Sequence, residues 1–93
     1  MENAKIYEMP AKLNQANSRI HEDNLMEFID KDKDLILDFK ENLYVSSAGI
    51  RVVLVLHRTC EKNGHELILR NVSEALKEIF DVTGYSRFLN IES

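Results

Sequence analysis

NLYVSSAGIRVVLVLHRTC, residues 42–60, holds two adjacent serines, then Ala-Gly, then a run dominated by Ile, Val and Leu. Its β-branched residues suit a strand. Its length does not: Ser47 to Asn63 is 17 residues, and strands usually run about 5–6. A serine at the start and Gly64 just past the end are helix punctuation. The polar HRTCEKN, residues 57–63, supplies the cation-leaning last turn that a helix dipole favours. The pattern predicts a helix over 47–63.

Short apolar runs stand on both sides of it. LILDF, 35–39, reads as a strand buried on both faces, and ELIL, 66–69, as a second one after the turn KNGH. A strand, a crossover helix and a strand make a right-handed parallel unit. KIYEM, 5–9, reads as an edge strand ended by Pro10. Residues 14–30 carry Leu25, Phe28 and Ile29 at helical spacing with Met26 beside them, and Asn14 or Asn17 can cap the start. Residues 71–84 form a further helix. Asn71 and Glu74 have capping-box spacing, Leu76, Ile79, Phe80 and Thr83 make one stripe, and Gly84 suits the left-handed end. RFLNI, 87–91, adds a last short strand. The predicted fold is therefore α/β: a single mixed sheet of about four strands with three helices, mainly on one face. It occupies one domain, residues 1–93.

A chain of 93 residues buries only about 60–65% of its unfolded surface, enough for one modest core and little deep cavity. The net charge is −4, from 16 acidic and 12 basic residues. That balance lacks the cationic surplus that nucleic acid or anionic lipid demands, and it favours a basic partner surface. No apolar run reaches the ~18 residues of a membrane span. The start, MENAKIYEMPAK, has no basic region followed by an apolar stretch, so the cytoplasm is the expected location. Cys60 is the only cysteine and rules out an internal disulfide.

At 100° per residue, Ile50, Val53, Leu54, His57 and Cys60 share the face of the 47–63 helix expected to cover the sheet. Val52, Val55 and Thr59 fall opposite, either under another helix or in an exposed docking patch. Ser46 and Ser47 stand at the strand-to-helix junction. One hydroxyl as an N-cap contributes about 1 kcal/mol, which explains one serine and leaves the second over. Gly49 in the first turn costs up to ~1 kcal/mol against alanine, so something must compensate for it. A helix N-terminus with a serine hydroxyl also suits a phosphate, which the dipole accommodates without melting the helix.

Residues 35–91 resemble the STAS domain of bacterial anti-sigma factor antagonists. The marks are the Asp38 strand end, the Ser-Ser-Ala-Gly-Ile-Arg junction, NGHELILRNVS and DVTGYSRFLNI. The resemblance extends more loosely over MPAKLNQANS. It implies a partner switch: an unphosphorylated antagonist sequesters an anti-sigma factor that is also a serine kinase. Phosphorylation of a serine at the tip of the second helix ends the complex, and a serine phosphatase resets it. Carried over on the glycine, that serine is Ser47, with Ser46 as the alternative. The docking surface expected from it is Asn14, Ser46, Ser47, Gly49 and Arg51, joined by Val52 and Val55 if the outer face of the helix is an exposed patch. This chain departs from the family at Ser46 and Asn14, where Asp is common, and both changes remove a carboxylate near Ser47. It also begins one strand short of the usual pattern, which opens an edge to self-association. The rival reading is a phosphorylation-independent STAS subunit that binds protein in a transporter or signalling assembly.

Enzyme chemistry finds little support. Ser47 and Gly49 fit half of the G-x-S-x-G elbow, but Val45 stands at the first glycine position. His21, His57 and His65 lie on different elements. His57 and Cys60, three apart on a helix, have no second pair to complete a metal site. Asp38 belongs either to a site near Ser47 or to a strand terminus bonded to a neighbouring loop. No glycine-rich phosphate loop is present, and no cofactor is expected.

Overall fold

The computed structural model describes residues 3–92. In chain order the elements are β1 (Ala4–Glu8), β2 (Lys12–Leu13), α1 (Ser18–Phe28), β3 (Asp34–Asp38), β4 (Tyr44–Val45), α2 (Ser47–Lys62), β5 (Leu67–Arg70), α3 (Glu74–Thr83), a 3-10 turn (Tyr85–Arg87) and β6 (Asn90–Ile91). The opening stretch is helical, as its length and punctuation require.

The main sheet has the order β1-β3-β5-β6, and its three pairings are all parallel. The four-stranded α/β sheet read from the sequence is present, with every pairing parallel where a mixed sheet is expected. Its strands share one direction because each connection carries a helix that returns the chain to the starting end. β2 and β4 form a second, two-residue parallel ladder, too short for any periodicity to reveal.

The strand order never reverses. With the hand of a parallel crossover fixed, successive helices then fall on the same side of the sheet. Burial agrees: Leu35, Leu37, Leu67 and Leu69 join one core with Leu25 of α1, Val53 and Leu56 of α2, and Leu76 and Phe80 of α3. The alternate residues Ile6, Ile36 and Ile68 lie in register across three strands, outside that core.

Local chemistry moves two helix starts. The Asn14 Oδ1 accepts hydrogen bonds from the Ala16 and Asn17 amides, a turn that competes with helix. The Asn17 side chain donates back to the Lys12 carbonyl at 2.8 Å instead of capping, so α1 starts only at Ser18. At its other end the Lys5 ammonium donates to the Phe28 carbonyl at 2.8 Å.

The cap of α3 is Ser73, which accepts from the Leu76 amide at 3.1 Å; the expected capping box at Asn71 does not form. Ser73 directly precedes the first turn, which frees Asn71 to take a left-handed conformation (φ 60°) and bond Asp38. Of the expected stripe, Leu76 and Phe80 are buried, whereas Ile79 and Thr83 are exposed. Gly84 ends the helix at φ 86°, as predicted.

Candidate functional site

The two serines divide their tasks. Ser46 is extended, and its Oγ accepts from the Gly49 amide at 3.3 Å, which makes it the N-cap of α2. Its own amide donates to the Leu13 carbonyl at 2.8 Å, tying the cap to the small ladder. Ser47 is the first helical residue and is exposed. No hydrogen bond to its hydroxyl occurs among the described residues.

The ladder also accounts for Gly49. A Cβ on this residue would stand 2.8 Å from Val45 Cγ1 and 2.9 Å from Leu13 Cγ and Cδ2. β2 and β4 seat their side chains directly on the first turn of α2, and only glycine leaves them room. Gly49 is buried, so the expectation that it contacts a partner is corrected: it supports the tip from below.

Val52 requires the same correction. It is 0% exposed, because α1 packs along that side of α2. Arg51 donates to the Glu22 carboxylate at 3.0 Å, and Thr59 Oγ1 lies 4.0 Å from the Met26 sulfur. Val55 is half-buried. The fully covered face of α2 is thus Val52, Val53, Leu56 and Cys60, rotated from the expected one. Ile50 and Leu54 are left half-buried at a groove, and His57 lies against the Phe88 ring at 5.0 Å between centroids.

That groove starts at the tip. Ser47, Ile50, Arg51 and Leu54 form one wall, and Thr83 and Tyr85 the other, around about 300 Å³ of open volume. A second apolar hollow lies between the approach to β4 and α3, where Leu43 is 82% and Tyr44 53% exposed opposite Ile79. The sequence reading did not single out Leu43, Tyr44, Thr83 or Tyr85 for the site. The available signal was two large apolar residues placed ahead of the serines, outside any periodic element.

Asn14 follows directly on Leu13, which pairs with Val45. The ladder therefore brings Asn14 beside the cap. Asp38 resolves as a strand terminus: its carboxylate accepts from Asn71 Nδ2 and from the Lys40 amide, both at 2.9 Å. These bonds, Asn71 first, hold its carboxyl below the usual range. His21 meets the Tyr7 hydroxyl, and His65 meets Asp34, each at 3.0 Å. Among the described residues no three His, Cys, Asp or Glu converge as metal ligands, and no helix is long and apolar enough to cross a membrane. Open α/β sheets hold ligands where strand order reverses, and this order does not reverse. The tip of α2 presents the exposed Ser47 beside two apolar hollows.

Known proteins resemble this chain in sequence and in fold. The chain is 32% identical over 74 residues to BtrV of Bordetella bronchiseptica, a candidate anti-sigma factor antagonist, covering 78% of this chain and 64% of that one. It is 30% identical over 71 residues to the anti-sigma-B factor antagonist of Bacillus subtilis, covering 76% and 65% respectively. It thus spans just under two thirds of the length of these curated relatives. Among solved structures, a candidate anti-sigma factor antagonist of Thermotoga maritima superposes with a TM-score of 0.87 at 17% identity, covering 100% of this chain and 81% of that one, a likeness of fold. The STAS-domain family model matches residues 1–93. Matched from end to end and folded in the same way, the chain belongs to the STAS-domain family.

Proposed function

We propose that this domain is an anti-sigma factor antagonist whose docking is ended by phosphorylation of Ser47. The relatives named for that role carry the general assignment. The observation that carries the switch is the division of labour at the tip: Ser46 holds the cap, and Ser47 is exposed, its hydroxyl without a hydrogen bond among the described residues. An anti-sigma factor with serine-kinase activity docks over Ser47, Arg51 and Asn14 and along the flanking apolar hollows. A phosphate on Ser47 adds about −1.5 to −2 charge at the centre of that contact. Losing a complex 10–1000-fold takes only about 1.4–4 kcal/mol, and one unpaired charge in an interface supplies that. A serine phosphatase restores the docking form.

The test is intact mass after incubation with ATP and an anti-sigma serine kinase. The expected result is a gain of about 80 Da, one phosphoryl group, that survives Ser46→Ala and is lost in Ser47→Ala. A gain that survives Ser47→Ala and is lost in Ser46→Ala reassigns the site.

A second reading, a phosphorylation-independent binding subunit of a transporter or signalling assembly, is favoured by one feature. No acidic residue occupies the first turn of α2, and its cap is serine, where the resembling antagonists commonly have Asp. The same mass measurement separates the two: no added phosphate on any serine supports the subunit.

A further inference from the structure

The face of the sheet turned away from the helices has a distinct pattern. Strand alternation and register put Ile6, Ile36 and Ile68 in one row across β1, β3 and β5. Ile6 is 49% exposed, Ile68 is partly exposed, and Ile36 is enclosed between them. On the same face, one residue pair further along the strands in either direction, the rows are acidic. Asp34 and Glu66 flank the isoleucines on one side. Glu8, Asp38 and Glu92 flank them on the other, with Arg70 between Asp38 and Glu92. Five carboxylates therefore frame an apolar row. The cationic groups nearby are Arg70, 3.9 Å from Glu92, Lys40 at the margin beyond β3, and His65, whose ring lies 3.0 Å from Asp34; Asp34 and Asp38 also accept hydrogen bonds within the chain, whereas Glu8 and Glu66 are exposed.

We infer that this face is a second docking surface, whose occupant is a basic amphipathic helix of a partner protein. The dimensions agree. Neighbouring strands lie about 4.8 Å apart, close to the 5.4 Å pitch of a helix, so apolar side chains one turn apart can follow the isoleucine row. The carboxylate rows stand about 6.6 Å to either side, where lysines or arginines flanking a helical apolar stripe would reach. Charge complementarity selects the partner: a face this acidic repels anionic lipid and a second copy of itself. The helices lie on the other side of the sheet, so occupancy here is compatible with occupancy of the α2 tip, and the inference stands independently of the Ser47 switch.

The test uses the full chain labelled at isoleucine methyl groups. The probe is a synthetic helical peptide of about 18 residues with leucines along one stripe and lysines on both flanks. A scrambled peptide of the same composition is the control. The expected result is saturable shifts at the Ile6, Ile36 and Ile68 methyls, with Ile50 and Ile79 beside the tip unmoved and little response to the control. Glu8→Lys with Glu66→Lys, both at exposed positions, weakens binding about tenfold or more, as does Ile6→Asp, while Ser47→Asp leaves it unchanged. Shifts centred on Ile50 and Ile79, equal response to both peptides, or affinity indifferent to the charge reversals overturns the inference. So does sedimentation showing that the face is already closed by a second copy in a dimer that Ile6→Asp dissociates.

Discussion

Leu13 and Gly49, 36 positions apart in the chain, are in direct contact: a Cβ on the glycine would stand 2.9 Å from the leucine Cγ. The near side of Val45, a stiff β-branched residue, is closer still. Gly49→Ala is therefore expected to destabilise the fold by about 1–3 kcal/mol through overpacking, despite alanine's better helix propensity. Urea denaturation measures it. A neutral or stabilising alanine would show that the ladder yields easily.

The serines are expected to separate stability from regulation. Ser46→Ala removes the hydroxyl that accepts from the Gly49 amide and costs about 1 kcal/mol. Ser47→Ala changes stability by less than about 0.5 kcal/mol, as for an ordinary surface position. In capture of an anti-sigma kinase, Ser47→Ala retains the partner and Ser47→Asp loses it. Equal retention by both removes the switch.

A negative charge at position 47 is expected to strengthen α2. It meets the positive end of the helix dipole, worth about 0.3–1 kcal/mol at an exposed site. It also stands four residues before Arg51, the spacing at which helical side chains meet. Arg51 now pairs with Glu22 of α1 at 3.0 Å, so phosphate and Glu22 compete for it. Thermal melts of Ser47→Asp should show an unchanged or raised midpoint, and the Arg51 side-chain resonance of the phosphorylated protein should move. Release through unfolding of α2 would instead give a lowered midpoint.

Cys60 is expected to be inert in the folded protein. Its thiol is pushed up to about 11, by burial first and by the negative charge of Asp34 second. The thiolate needed for reaction is therefore scarce at neutral pH. A raised folded value contributes stability below the ordinary 9.0, lost as pH climbs toward about 11. Labelling with a thiol reagent at about pH 8 should be slow in buffer and rapid in denaturant. Fast native labelling would mean that the helix layer opens locally.

Asp38 is expected to give the fold part of its acid sensitivity. Its carboxyl is held below the ordinary 3.8 by the Asn71 side chain and then by the Lys40 amide. A depressed folded value contributes stability above 3.8 that disappears as pH falls through that lower value. The wild type should exceed Asp38→Asn in denaturation midpoint at about pH 6, and the gap should narrow by about pH 3. A gap that does not change with pH would mean that the amide reproduces the bonds without charge.

Much of the architecture was legible because its causes are local. The length from Ser47 to Lys62, the serine ahead of it and the glycines at 64 and 84 concern residues within a turn or two of one another. The short apolar runs of β3 and β5 likewise announce strands buried on both sides. The start of α1 was less legible, since Asn14 satisfies the Ala16 and Asn17 amides with its own side chain. The cap of α3 was misread because Asn71 and Ser73 both suit a helix start, and Asp38, far along the chain, claims Asn71.

By itself the sequence determined the alternation of strands and helices, the helical state of residues 47–62 and the placing of two serines at its tip. These follow from spacing and from side-chain chemistry within reach of the neighbouring backbone. Only the tertiary structure decided which side of α2 is covered, because apolar residues surround much of that helix and the seat of α1 chooses among them. It likewise decided that Gly49 and Val52 lie beneath the surface while Ser47 stands on it. A two-residue ladder has no pattern along the chain, and its contacts exist only once distant segments are brought together.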